Sequence, residues 1–531
     1  MPVAEAVRGR WAADGFLVLL LFAAIAVYLS LLPYNLGLYD ESYFLYEAKR
    51  IRDGEVYYRD IFQIATPLPA YVMAGLFWLF GTSMTTARVS TAVLHATTGV
   101  VLYATARRLA VRRELAVAVA LAYPAVCVAI WPYASWHWFS TLIFSVLLLV
   151  MIAGRWAARP QWAFVPGLIT GVLTDAQHQK GVVIAAGVCV VFVLDHLIDR
   201  RYPNPEPWPR VATRLIYFAA GVAALVVPVL AGFVLVAGAD AVYAALVRFP
   251  LENYRTTLHQ NWGVVGPMAR TNAAYSFPAI LRYSPVALAL PAVECLVHLA
   301  HGRERERVRA LTALLVLSGF FALSIMYFPG VIHIAFIAVG FWLCAAVGVE
   351  WLLSGLRPVA IGRLAGALVA VLVSAGLIVH LSRLASVLRE QFPVERDTAF
   401  GRVAFPSIWQ ASLAEGAREL LAQSASGELF CYILAAPYLT TGGRNPTPYQ
   451  FLKAGISPDR HIQETLSILE ERRVPYVIAP NLNVKADDPV VQYIGQHYEP
   501  MDLADNRGGF PWYWLLARKD RARASPPPAG S

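Results

Sequence analysis

Charge is scarce in this chain. Of 531 residues only 15% are charged, where a soluble domain carries nearer a quarter. Cysteine is scarce too. The five residues Cys127, Cys189, Cys295, Cys344 and Cys431 are scattered, and no CxxC or Cys/His spacing occurs. That pattern supports neither a disulfide framework nor a zinc site. No small-residue cleavage site follows the first apolar run, about 15–32, which Arg8 and Arg10 flank. The run therefore reads as a retained first helix rather than a removed leader. No internal repeat is visible.

What fills the chain is apolar. Hydrophobic residues make up 58% of it, and the mean hydropathy is +0.52. Several stretches approach or exceed the roughly 20 apolar residues that cross a bilayer as a helix. The chain reads as a polytopic membrane protein. Its net charge of +9 falls in short basic clusters between apolar runs, as cytoplasmic loops do. Nucleic acid is not needed to explain it.

Apolar runs lie at roughly 15–33, 86–106, 114–131, 136–154, 162–174, 180–198, 212–237, 278–300, 308–328, 331–353 and 360–382. Basic connections occur at every second junction: Arg107 to Arg113, Arg155 to Arg159, Arg200 to Arg214, "HGRERERVR", and Arg357 to Arg363. With those on the cytoplasmic side, the other face carries 34–85, "WPYASWHW", "TDAQHQK", 238–277, "YFPGVIH" and everything after about 383. The reading is about 11 crossings in a cell (inner) membrane, N-terminus inside and C-terminus outside. The run 67–81, "PLPAYVMAGLFWLFG", would invert this order as an extra crossing. It is also short, so it is expected to be a re-entrant or membrane-surface helix.

Three domains follow. Residues 1–383 form an all-α membrane bundle, with 34–85 as the first extracytoplasmic loop and its juxtamembrane helices. Residues 384–520 read as a small α/β domain: "GELFCYILAAP", "VPYVIAPN" and "PWYWLLARK" as short strands, and "SPDRHIQETLSILEERR" as an amphipathic helix with Ser457 or Asp459 near its N-cap. The stretch 521–531, ending "SPPPAGS", reads as a disordered tail.

Polar residues collect on one face. Asp40, Glu41, Arg88, His137, Asp175, His178, Lys180, Arg248, Arg255, His259 and His333 all fall at or near the extracytoplasmic side of this topology. Ionisable groups at membrane depth tend to face a protein interior or a watery cavity. Each also has an ordinary reading. A carboxylate past a helix end is usually solvated. Arg88 can be a snorkelling anchor. Asp175, His178 and Lys180 can sit in a tight solvated loop, and His333 can be hydrogen-bonded filler. Arg248, Arg255 and His259 lie in a long loop where charge is cheap. The pair Asp40-Glu41 is the least ordinary. Tyr43, Phe44, Tyr46 and Glu47, then Lys49, Arg50 and Arg52, follow it. This pattern predicts an interfacial helix with its aromatics toward lipid.

The N-terminal block also has a family look. Asp40-Glu41, Pro67-Leu68, Leu79-Phe80-Gly81 and Arg88, in "TPLPAYVMAGLFWLFG" and "TTARVSTAVLHATTGVVLYATARRL", are its motifs. They resemble the GT-C superfamily of integral-membrane glycosyltransferases. The nearest branch is that of protein O-mannosyltransferases and the lipid A aminoarabinose transferase. The likeness is clear over about 15–125 and looser beyond. "YLTTGGRNPTPY" is similar to a segment of bacterial members. The family often has His or Lys before a double proline; here the residues are Ala65-Thr66-Pro67-Leu68-Pro69, and a basic contact would come from elsewhere, such as Lys180.

The resemblance implies a sugar donor linked to polyprenyl phosphate and used on the extracytoplasmic side, with inversion at the anomeric centre. It makes Asp40 the general base for an acceptor hydroxyl, with Glu41 orienting it or the acceptor. Arg88, Lys180 and His178 become candidates for the donor phosphate. Asp175, His137, Arg255 and His333 become candidate substrate contacts. Asp40, Glu41 and Asp175 offer hard oxygen atoms to a divalent cation, but no spacing demands one. The acceptor is a protein, a lipid or a glycan. A transporter or flippase of lipid-linked sugars is the alternative from another class.

Overall fold

The structure is a computed structural model. It describes residues 2–37, 39–203, 205–254, 261–266, 277–302, 304–356, 359–480, 487–501 and 513–520. The expected disordered tail, 521–531, and the candidate residues Arg255 and His259 lie outside them.

Each apolar run is helical. In chain order the segments are α1 (Pro2–Ser30), α4 (Met84–Arg108), α5 (Arg113–Ala122) continued by a π-helical turn (Tyr123–Val128), α6 (Trp136–Ala153), Phe164–Ala176, His178–Asp199, Trp208–Ala237, Pro278–Ala300, Arg305–Leu323, Val331–Ile337 with Val339–Ser354, and Val359–Gln391. Among the described residues, six helices are long and apolar enough to cross a membrane by themselves. Two runs that look continuous in the sequence are broken. Pro278–Ala300 contains a 3-10 turn at Ser284–Leu288, where Pro285 removes a backbone donor. The pair joined at Ala338 bends by 63°.

Close helix crossings follow from glycine. A Cβ on Gly167 would lie 2.3 Å from the Phe218 carbonyl oxygen, and one on Gly221 would lie 2.3 Å from that of Phe164. Phe164–Ala176 and Trp208–Ala237 therefore touch backbone to backbone, as membrane helices do where the meeting residues are small. The outer surface of Trp208–Ala237 is exposed apolar side chain, with Leu235, Ile216 and Val227 among the most open.

Two short helices precede α4. α2 (Asp40–Arg52) starts on acids and ends on Lys49, Arg50 and Arg52, the charge order its dipole favours. α3 (Leu68–Phe80) has prolines at its start and Gly81 at φ +87° at its end. Its 13 residues reach about 20 Å, too short for an ordinary crossing. Pro69, Ala70, Met73, Ala74 and Phe77 face protein, while Trp78, Leu79 and Phe80 are exposed.

The aromatic face of α2 departs from expectation. Phe44 is buried against Trp136 and Phe139, at ring distances of 5.1 and 6.0 Å. Tyr46 stacks on Tyr438 at 4.5 Å. These rings meet protein on two sides, not lipid, because the C-terminal domain covers the face that an isolated interfacial helix would give to the bilayer. The open aromatics next to α2, Trp78 and Phe80, belong to α3.

That domain begins after Gln391, since the last membrane helix runs on to that residue. A hairpin of β1 (Val394–Thr398) and β2 (Gly401–Phe405) leads to the helix Ile408–Ala422. The second sheet has the order β3-β4-β6-β5, from Leu429–Cys431, Tyr476–Pro480, Tyr513–Arg518 and Tyr498–Pro500. β3 and β4 are parallel, and both β6 pairings are antiparallel. The expected closing strand is thus internal. The helix Asp459–Glu471 is capped at Pro458 without a side-chain bond. Ser457 instead accepts from the Lys453 amide at 3.0 Å. The hairpin and the helices Ile408–Ala422 and Pro489–His497 were not legible in the sequence.

Candidate active site

The two adjacent acids have opposite surroundings. Glu41 is fully buried. It takes both terminal nitrogens of Arg88, at 2.5 and 3.0 Å, and the amides of Gly37 and Ala134, each at 2.7 Å. Arg88 is 5% exposed and donates further to the carbonyls of Asn35 and Pro132. The pair is satisfied within the protein. It ties α2 to the start of α4 and to the segment that enters α6.

Asp40, one residue earlier, has no hydrogen bond or ion pair among the described residues. Its side chain is exposed, yet protein surrounds it closely, and desolvation pushes its carboxyl up to about 6. An accessible carboxylate whose charged form is poorly solvated holds its proton more tightly than one in open water.

A second polar cluster lies a short way along the chain. Ala134 holds Glu41, and three residues later His137 meets Lys180. The Lys180 ammonium is 2% exposed. It reaches Ser140 Oγ at 2.8 Å and His137 Nδ1 at 3.2 Å. Gln177 Nε2 lies 3.1 Å from the same Nδ1, and Gln177 Oε1 accepts from Ser140. With two donors aimed at it, His137 Nδ1 is the acceptor, which puts the ring proton on Nε2. The imidazole lies flat on Phe336 at 4.4 Å, with His333 edge-on at 5.1 Å. Lys180 also sits over the rings of Phe321 and Phe336, 5.2 and 5.7 Å from their centroids. Among the described residues no carboxylate lies within ion-pair distance of it. A buried ammonium without a counter-charge is costly, and an anion would complete it.

The other candidates are placed as follows. Asp175 is buried at the end of Phe164–Ala176 and does not pair with Lys180. His178 is two residues from Lys180 on one helix, so the two side chains diverge; its Nδ1 is buried without a partner. His333 joins His137. Asp40, Glu41 and Asp175 do not converge as a ligand set, because Glu41 is taken up by Arg88 and two amides. Among the described residues no group of three His, Cys, Asp or Glu is spaced to hold a metal ion.

Sequence reasoning passed over Ser140, Gln177 and Glu47. Glu47 is buried, accepts from Tyr57 at 3.0 Å and from Gln63, and is pushed by burial up to about 8. It sits two turns after Asp40 between Tyr46 and Ala48, and an acid inside so aromatic a helix face is the signal that marks it. The "YLTTGGRNPTPY" segment packs on the same helix: Asn445 donates its amide to the Tyr46 hydroxyl at 2.8 Å.

No family model and no curated protein sequence matches the chain. Solved structures do match in fold. ArnT from Cupriavidus metallidurans bound to undecaprenyl phosphate aligns with a TM-score of 0.55 at 13% identity, over 96% of this chain and 98% of that one. The apo state of the same protein aligns with a TM-score of 0.53 at 15% identity, over 97% and 100%. The chain is a polytopic membrane protein that shares the fold of ArnT along nearly its whole length.

Proposed function

We propose that the protein is a membrane glycosyltransferase that moves a monosaccharide from a polyprenyl phosphate donor to an extracytoplasmic acceptor, with Asp40 as general base. The observation that carries this reading is the split between the acids: Glu41 is locked in a satisfied buried pair, while Asp40 is accessible, unpartnered and desolvated. A general base must be within reach of the acceptor hydroxyl and carry a pKa near the working pH. In support, ArnT shares the fold, one of its structures holds undecaprenyl phosphate, and ArnT is the lipid A aminoarabinose transferase of the branch that the sequence resembles.

The step is a displacement. Asp40 takes the proton of the acceptor hydroxyl as that oxygen bonds to the anomeric carbon. The bond from that carbon to the phosphate oxygen breaks, and polyprenyl phosphate departs as an anion. Lys180 is our choice to meet its charge, because its ammonium is buried with no carboxylate. Arg88 we assign to holding Glu41, and through it the start of α2, since its donors are engaged. His137, with Nε2–H free of Lys180, and His333 are neighbouring substrate contacts. The acids face the outside of an inner membrane, with the N-terminus cytoplasmic.

The test is transfer in proteoliposomes, using a panel of polyprenyl phosphate monosaccharides and envelope extract as acceptor. One labelled donor should yield product. Movement of the labelled lipid across the bilayer without transfer would favour a flippase instead.

A further inference from the structure

The C-terminal domain carries an exposed apolar turn that its own fold does not explain. Ser407 caps the helix Ile408–Ala422 by accepting from the Gln410 amide. The first two helical side chains, Ile408 and Trp409, are 45% and 36% exposed. An adjacent isoleucine and tryptophan on the surface of a water-facing domain call for a partner.

Their position names it. The hairpin just before them is fastened to the mouths of two membrane helices. Ala404 donates its amide to the Tyr34 carbonyl at 3.0 Å, four residues after α1 ends, and Phe400 accepts from the amide of Met84, the first residue of α4, at 2.8 Å. Phe400 also packs edge-on against Phe77 of α3 at 5.7 Å. Ile408 follows Ala404 by four residues, so it lies within about 15 Å of that anchor. The end of α3, which meets the hairpin through Phe77, leaves Trp78, Leu79 and Phe80 75%, 62% and 70% exposed. Both apolar patches adjoin one hairpin, which is fastened at Tyr34, just after α1, and at Met84, the start of α4.

We propose that Ile408 and Trp409 insert into the interfacial layer of the membrane that holds the helix bundle, extending the aromatic edge of α3 and giving the C-terminal domain a lipid contact of its own. Tryptophan favours that layer, where its ring is half apolar and its N–H is wet. Attraction to anionic headgroups is not the driving force. The stretch 394–409 holds two acids, Glu395 and Asp397, and two arginines, Arg396 and Arg402. Arg402 pairs with Glu395 at 2.5 Å, and Arg396 with Glu415 at 3.0 Å. The contact is made by apolar burial.

The experiment uses the full chain in phosphatidylcholine vesicles with a nitroxide on Trp409→Cys. Collision with oxygen, which partitions into lipid, is compared with collision with a water-soluble nickel chelate. Glu415→Cys on the same helix is the aqueous control, and labelled wild type gives the background from native cysteines. The expected result is an oxygen-to-nickel ratio severalfold above the control and unchanged when anionic lipid is added. Ile408→Cys repeats the measurement should the tryptophan variant fail to fold. A ratio equal to that of Glu415→Cys overturns the proposal. So does a label shielded from both colliders, with the spectral broadening of a second nearby nitroxide, because that shows a copy of the chain on the patch. Neither result depends on the reaction proposed above.

Discussion

Glu41 and Arg88 stand 47 residues apart in the chain and close a two-nitrogen ion pair with its shortest contact at 2.5 Å, in a place where both side chains are buried. Two backbone amides complete the carboxylate, and two carbonyls complete the guanidinium. The pair is a joint: it fixes the first turn of α2, and so the residue beside it, Asp40.

Breaking one side of that joint leaves a buried charge without its partner, a loss of about 3–5 kcal/mol. Arg88→Ala should therefore lower the unfolding temperature in detergent sharply. Glu41→Leu combined with Arg88→Leu should recover part of the loss, since no uncompensated charge is left. A double variant less stable than the sum of the two singles would refute the joint.

Lys180 predicts the opposite balance. Its ammonium is buried with no acid to meet it, so Lys180→Met should fold at least as well as wild type. The same change should weaken binding of undecaprenyl phosphate by about 10- to 100-fold, the loss of one charged hydrogen bond. Lys180→Arg should not restore it, because a planar fork does not occupy the place of a compact ammonium. Binding isotherms and melting curves on the same samples check both halves.

The pH dependence of transfer follows from Asp40. Its carboxyl is raised from the ordinary 3.8 to about 6 by burial, and only the ionised form acts as a base. Transfer should rise with pH through about 6 and level off above it. A profile already flat from pH 5 would contradict the desolvated base.

Glu47 gives a stability signature apart from catalysis. Burial raises its carboxyl from 4.5 to about 8, so the folded chain keeps a proton there that the unfolded chain gives up. Stability from this group is full below pH 4.5 and is lost as pH rises toward 8, at up to about 1.4 kcal/mol per pH unit. Glu47→Gln keeps a neutral hydrogen-bonding group and should flatten that slope between pH 6 and 8. Melting temperatures across this range test it.

The apolar runs were legible because each lacks the charges that a soluble helix carries. The acids of α2 were legible as a motif. Their division of roles was not: Asp40 and Glu41 are adjacent letters, and only the fold brings Arg88 and the Ala134 amide to one of them. The aromatics of α2 misled for the same reason. Tyr46 reads as a lipid-facing ring until Tyr438, 392 positions later in the sequence, is stacked against it. The hairpin at 394–405 was hidden because Glu395, Arg396, Asp397 and Arg402 give it no apolar alternation to detect.

The role of Asp40 as base is tested by comparing wild type and Asp40→Asn in proteoliposomes supplied with the donor that wild type uses. The variant keeps the size and the neutral hydrogen bonding of the side chain and loses only the base. Transfer should fall by about 10²–10⁴-fold, with undecaprenyl phosphate bound as tightly as before. Transfer at the wild-type rate would contradict it.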